Sequence, residues 1–217
     1  MGRASKRDIA RAVLDRHPKS YAEELHIAVG GNTPSPLYRW LIASLLFSAR
    51  IAAGQAQGAA KALFDQGWRT PEKMAQTSWS ERVKVLNRSG YARYDESTSR
   101  YIGDTTELLL DRYGGDLRKL RAEAGRDVGK ERALLKAFKG IGDVGADIFF
   151  REVQVAWDEL YPFADRKALD VAGRLGLDDS AEGLARLVDR KDLPRLLTGL
   201  VRVGLADEED DPLRDVA

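Results

Sequence analysis

The chain has no cysteine. That excludes disulfides, thiolate zinc sites and any iron–sulfur cluster held by cysteine. Its two histidines, His17 and His26, lack metal-ligand spacing and receive no chemical role. No stretch approaches the roughly eighteen apolar residues of a membrane span. The polar segment from Met1 to Arg11 has no hydrophobic signal-peptide core, so a cytoplasmic location is expected. Runs of alternating apolar and polar residues are also missing, which argues against strands and for an all-α fold. An excess of charge of either sign is lacking too. The net charge is +1, which by itself says nothing for nucleic acid. The balance is uneven, however: segment 207–217 sets six carboxylates against Arg214, leaving this acidic tail at −5 and residues 1–206 at +6. The tail reads as a solvated end, with competition for a basic face as the alternative.

What is present is ample helix-forming material. With 217 residues, 43% hydrophobic and 32% charged, the chain can build one large or two small domains. Ile9, Val13 and Leu14 form an apolar stripe on a basic N-terminal helix. After Tyr21–Ile27, Gly30-Gly31-Asn32 and Pro34-Ser35-Pro36 read as a loop. Leu37–Ala49 is apolar and too long for a strand, so it is expected to be a buried helix. Further helices are expected from Ala56 to Phe64, from Thr70-Pro71 onward, from the capping box Ser78–Glu81 to Gly90, and from Tyr94 to Tyr113. Short helices over Asp165–Arg174, Ser180–Val188 and Asp192–Val203 complete the series.

The stretch Glu131–Leu177 stands apart. Leu134, Leu135 and Phe138 carry a helix into Gly140-Ile141-Gly142, and from Asp143 the residues Val144, Ile148, Phe149 and Val153 suit a second helix. The pattern is helix, hairpin turn, helix. Gly140, Gly142 and Gly145 leave amides open at the head of the second helix, where a phosphate oxygen is favoured. The same glycines match G-x-G-x-x-G, but a dinucleotide site needs a preceding strand and here a helix precedes. Glycines that merely permit close packing are the structural alternative.

Downstream lie Asp165 and then Arg174-Leu175-Gly176-Leu177. This ordered pair of motifs resembles the endonuclease III-like branch of the helix-hairpin-helix DNA glycosylases, loosely from Pro36 to Leu177. The resemblance implies a helical bundle at 37–157 with its hairpin at 139–146. A second helical domain would be formed by 1–36 with 158–217, and a cleft would lie between the two. It implies a monomeric enzyme of base excision repair, associated with the nucleoid, that flips a damaged base out of double-stranded DNA and hydrolyses its N-glycosidic bond.

The resemblance also assigns residues. Asp165 matches the family's catalytic carboxylate, which stabilises the developing sugar cation and orients water. As the residue opening a helix it equally suits an N-cap. Bifunctional members carry a lysine two residues past the second hairpin glycine, where this chain has Val144. A monofunctional glycosylase is therefore expected. Lys167 remains a relocated amine nucleophile or a phosphate contact, and a non-catalytic DNA binder and a scaffold without DNA stay open. Many members bind an iron–sulfur cluster; with no cysteine none is expected here, and residues 178–206 must be held by leucine and valine packing. A monovalent cation on the 140–145 backbone is implied, with no side-chain metal site. Arg50 stands where the family plugs the gap left by the flipped base, though it also suits a helix C-terminus. Tyr91 can stack on bases or simply pack. Lys139, Arg88, Arg93 and Arg166 are candidate phosphate contacts, as are the amides of Gly140, Ile141, Gly142 and Gly145. Trp157 reads as core or as the edge of a base pocket.

Overall fold

Capping chemistry written into the sequence sets the helix starts. The computed structural model describes residues 5–206, so the acidic tail at 207–217 lies outside the described residues. Ser5 and Asp8 form a capping box, as do Ser78 and Glu81, while Thr70, Asp116, Asp127, Asp165 and Ser180 each accept a backbone N–H at a helix head. The helices are α1 (Lys6–Arg16), α2 (Tyr21–Glu24), α3 (Pro34–Phe47), α4 (Ala53–Asp65), α5 (Pro71–Ala75), α6 (Trp79–Arg88) and α7 (Asp95–Tyr113). They continue with α8 (Leu117–Glu123), α9 (Val128–Leu135), α10 (Asp143–Val153), α11 (Arg166–Arg174), α12 (Ala181–Ala185) and α13 (Leu193–Val203). No strand occurs among the described residues, so the fold is all-α.

Two local expectations are corrected. Pro34 begins α3 rather than ending a loop, because a proline at the first helical position gives up only an N–H that would have had no partner. The helix α8, capped by Asp116 and seated on buried Leu117 and Leu120, was missed. Its charged residues mask a short apolar stripe.

The described residues divide into two compact units, 25–149 and 5–24 with 150–206. The sequence reading divides the chain at 36/37 and 157/158. Residues 25–36 fall with the first unit because the 3-10 turn Val29–Gly31 packs on α3 and Arg39 Nη1 donates to the His26 carbonyl at 3.3 Å. Residues from Phe150 on fall with the second: the Phe150 ring meets Phe163 edge-on at 5.7 Å, and Glu152 accepts the Ala22 N–H at 3.4 Å.

In the first unit α3 is the central core element. Leu37, Tyr38, Trp40, Leu41, Ile42 and Leu46 have no exposed surface. Each such side chain contributes about 1.5–3 kcal/mol by burial, which explains the unbroken apolar run. Two of its buried polar groups are paired: Trp40 Nε1 donates to the Phe149 carbonyl at 3.2 Å, and Tyr38 shares a 2.8 Å bond with Thr106. In the second unit α1, α11 and α13 close a separate core of Val13, Ala168, Val171, Leu196, Leu197 and Leu200.

Candidate functional site

The hairpin is built from its supports upward. Phe138 is buried with its ring 6.3 Å from Tyr113, and Thr105 Oγ1 donates to the Lys139 carbonyl at 3.0 Å. Gly140 then turns the chain at φ +84°, and a Cβ there would lie 3.0 Å from Tyr101 Cδ2, so only glycine meets both demands. Ile141 donates its N–H to Phe138 at 3.1 Å and buries its side chain under Gly145. The Gly142 carbonyl accepts the Ala146 N–H at 3.0 Å and opens α10. Gly142 is exposed, and an added Cβ would meet nothing within 4 Å. The head of α10 is therefore open on that side, with its free amides and the positive end of its dipole available to an anion. Of the expected contact residues here, Ile141 is an anchor and can offer only its backbone. The carbonyls of Phe138, Lys139 and Gly142 already accept hydrogen bonds, and a backbone-bound cation would share their remaining lone pairs.

One charge at this tip escaped the sequence reading. Asp143, in the first turn of α10, pairs with Lys136 at 2.7 Å, and that contact holds its carboxyl below the usual range. Arg132 pairs with Asp147 at 2.6 Å. Two acids that oppose a phosphate are thus each covered by a base from the preceding helix or its last turn.

The end of α3 lies against the hairpin, since Ser48 Cβ is 3.7 Å from where a Cβ on Gly145 would sit. Arg50 follows in the exposed bend after Ser48. The last α3 carbonyls accept from the Ser48 N–H and Oγ and from the Ala49 N–H, and Arg50 makes no hydrogen bond or ion pair among the described residues. Lys139, Arg88 and Arg93 are exposed as well, Arg93 resting 5.3 Å over the Tyr94 ring. Tyr91 is a correction: it is 1% exposed and donates its hydroxyl to the Leu46 carbonyl at 3.3 Å. Its ring packs beneath the loop and cannot stack on a base. Trp157 is likewise fully buried, which fits its reading as core.

Asp165 sits in the other unit with φ −79° and ψ 158°, as the N-cap of α11. Its Oδ1 accepts the Ala168 N–H at 3.2 Å, and its Oδ2 accepts Arg151 Nε at 2.7 Å. Both side chains of the pair are nearly sealed, 5% and 6% exposed. Arg151 was not singled out from the sequence; its only signal was a charge set among Phe149, Phe150 and Val153. Gln154 secures the approach, accepting the Phe163 N–H at 3.1 Å and donating to the Phe163 carbonyl at 3.0 Å. Beyond Asp165, Arg166 points into solvent and lies 3.8 Å from Asp170. Lys167 has its ammonium held below the ordinary lysine range, by partial desolvation first and by the Arg151 charge second.

No family model and no curated protein sequence matches the chain. Among solved structures, a non-covalent endonuclease III–DNA complex matches 99% of this chain and 93% of its own, at TM-score 0.59 and 21% identity. A thermostable thymine-DNA glycosylase matches 94% and 89%, at TM-score 0.55 and 16% identity. The chain has the helix-hairpin-helix glycosylase fold.

Val144, where the resemblance puts a lyase lysine, is 59% exposed in the first turn of α10. An apolar side chain left in the open there can supply neither an amine nor a proton. The iron–sulfur cluster has no possible cysteine ligands. In the region the cluster would brace, Leu184, Leu193, Leu196, Leu197 and Leu200 are buried in the second unit's core. Among the described residues, no helix is long and apolar enough to cross a membrane.

Proposed function

We propose that the chain is a monofunctional DNA glycosylase of base excision repair, acting on double-stranded DNA that contains a damaged base. The observation that carries this reading is a buried carboxylate, Asp165, at the head of α11 on a fold that also keeps an open glycine hairpin. In the proposed reaction the C1′–N bond breaks, its electron pair leaves with the base, and positive charge develops on the sugar. Asp165 stabilises that cation and orients a water whose oxygen forms the new bond to C1′, and the proton that this water gives up neutralises the departed base. Val144 supplies no amine, so no imine forms and the strand stays intact. The α10 amides, with Lys139, Arg88, Arg93 and Arg166, hold phosphates without reading sequence, and a monovalent cation on the hairpin carbonyls belongs to the same scheme. Arg50 fills the gap left by the flipped base.

Lys167 favours a second reading. Its ammonium is easier to deprotonate than an ordinary lysine's, which suits an amine nucleophile and a bifunctional glycosylase/lyase. One experiment separates the two. The protein and its Asp165→Asn and Lys167→Ala variants are incubated with duplexes carrying a panel of damaged bases, then analysed directly, after alkali and after borohydride. Breaks that require alkali and vanish in Asp165→Asn support the monofunctional reading. Direct breaks with a borohydride adduct lost in Lys167→Ala establish the bifunctional one. Salt-dependent duplex binding without any breaks makes the chain a DNA binder, and absence of binding removes DNA from the account altogether.

A further inference from the structure

We propose that Arg151 is the positioning residue of Asp165, an inference that rests on the reading of Asp165 as the catalytic carboxylate. A carboxylate on a short side chain turns freely about its last bond unless both oxygens are held. Here they are held from two directions: the Ala168 amide on Oδ1 at 3.2 Å and the Arg151 guanidinium on Oδ2 at 2.7 Å. The amide bond comes with the helix cap. The guanidinium bond is separate and joins side chains 14 residues apart. Nearly complete burial of both partners removes water as a substitute, so the geometry of this one N–H sets where the charge points.

The rest of α10 supports the same purpose. Phe150, directly before Arg151, packs its ring edge-on against Phe163 at 5.7 Å. Gln154 ties its amide to the Arg151 carbonyl at 2.8 Å and to both backbone groups of Phe163. Phe150 and Arg151 in the last turn of α10, with Gln154 just beyond its end, thus grip the segment that leads into Asp165. The bracing does what a carboxylate under a reacting sugar requires, because its stabilising effect depends on distance and direction. Arg151 also leaves Oδ1 and Oδ2 one further acceptor direction each, so the clamp does not consume the carboxylate.

The test uses the full chain and a duplex that the wild type excises. Single-turnover excision rate, duplex affinity and melting temperature are measured for Arg151→Met, Arg151→Lys, Asp165→Asn and the double variant Arg151→Met with Asp165→Asn. Arg151→Met is expected to excise roughly a hundredfold more slowly, the cost of a misplaced catalytic group, at unchanged duplex affinity. Arg151→Lys is expected to recover part of that loss. In the Asp165→Asn background, Arg151→Met is expected to cost nothing further, because the group it positions is already gone. Wild-type rate in Arg151→Met beside a dead Asp165→Asn overturns the positioning role and leaves the glycosylase reading standing. Equal losses of rate and affinity, or losses that multiply in the double variant, overturn it too. Should Arg151→Met fail to fold, Arg151→Lys decides: full rate with a lowered melting temperature marks a structural pair only. A wild type that excises nothing from any duplex removes the glycosylase reading and this inference with it.

Discussion

Replacing Gly140 by alanine tests the hairpin most sharply, because two independent penalties fall on one methyl group. The first is conformational. At φ +84° an L-residue pays about 1–2 kcal/mol that glycine does not. The second is steric: the methyl would sit 3.0 Å from Tyr101 Cδ2 and 3.2 Å from its Cβ and Cγ, so the half-buried ring must move, at about 1–3 kcal/mol. The narrower unfolded ensemble of alanine returns about 0.4–1 kcal/mol. The expected loss is about 2–4 kcal/mol, which for a chain of this size lowers the melting temperature by about 5–15 °C. Calorimetry and urea unfolding would measure it. Gly142→Ala is the internal control: its Cβ meets nothing within 4 Å, and less than about 1 kcal/mol is expected for the altered helix cap, with weaker duplex binding because the methyl crowds the open head of α10. In a Tyr101→Ala background the steric part of the Gly140→Ala cost should disappear. A change under about 0.5 kcal/mol for Gly140→Ala, or equal costs for the two glycines, refutes the account of the turn.

Three further outcomes are expected. Val144 is 59% exposed, so Val144→Lys should fold normally and place an amine at the head of α10; on a duplex the wild type cuts only with alkali, it should yield direct breaks and a borohydride adduct, and no adduct argues against position 144 facing the sugar. Burial pushes the Glu152 carboxyl from 4.5 up to about 7, so the folded state holds that proton more tightly than the unfolded one. Its contribution is complete below about pH 4.5 and is lost as pH rises through about 7, so Glu152→Gln should gain up to about 3 kcal/mol on the wild type across that window, and a parallel pH profile refutes it. Tyr91→Phe should lose about 1 kcal/mol with its bond to Leu46 and leave duplex affinity intact; lost affinity at unchanged stability would restore its stacking role.

Much of the chain was legible because its signals are local. Ser78 with Glu81, Thr70 with Pro71 and the glycines after Phe138 each act within one helical turn, so periodicity and capping chemistry place the corresponding elements. Pro34 and α8 were misjudged for the same local reason: a proline has meaning both in a loop and at a helix start, and a short charged stretch hides a two-leucine stripe. Asp165 illustrates the limit. Its capping geometry was readable from the three-residue step to Ala168, but its partner was not.

By itself the sequence determined an all-α chain, a glycine hairpin between two helices, and a lone aspartate at the head of a later helix. It also determined the absence of cysteine and, at position 144, of an amine. Only the tertiary structure decided that Tyr91 is sealed against Leu46, 45 residues away, and that Asp165 is clamped by Arg151, 14 residues before it. It also decided that Gly140 is required by the ring of Tyr101 whereas Gly142 faces open space. The reason is physical: turns and caps are settled by energies within a few neighbouring residues, whereas burial and ion pairing depend on which distant surfaces the packed helices bring into contact.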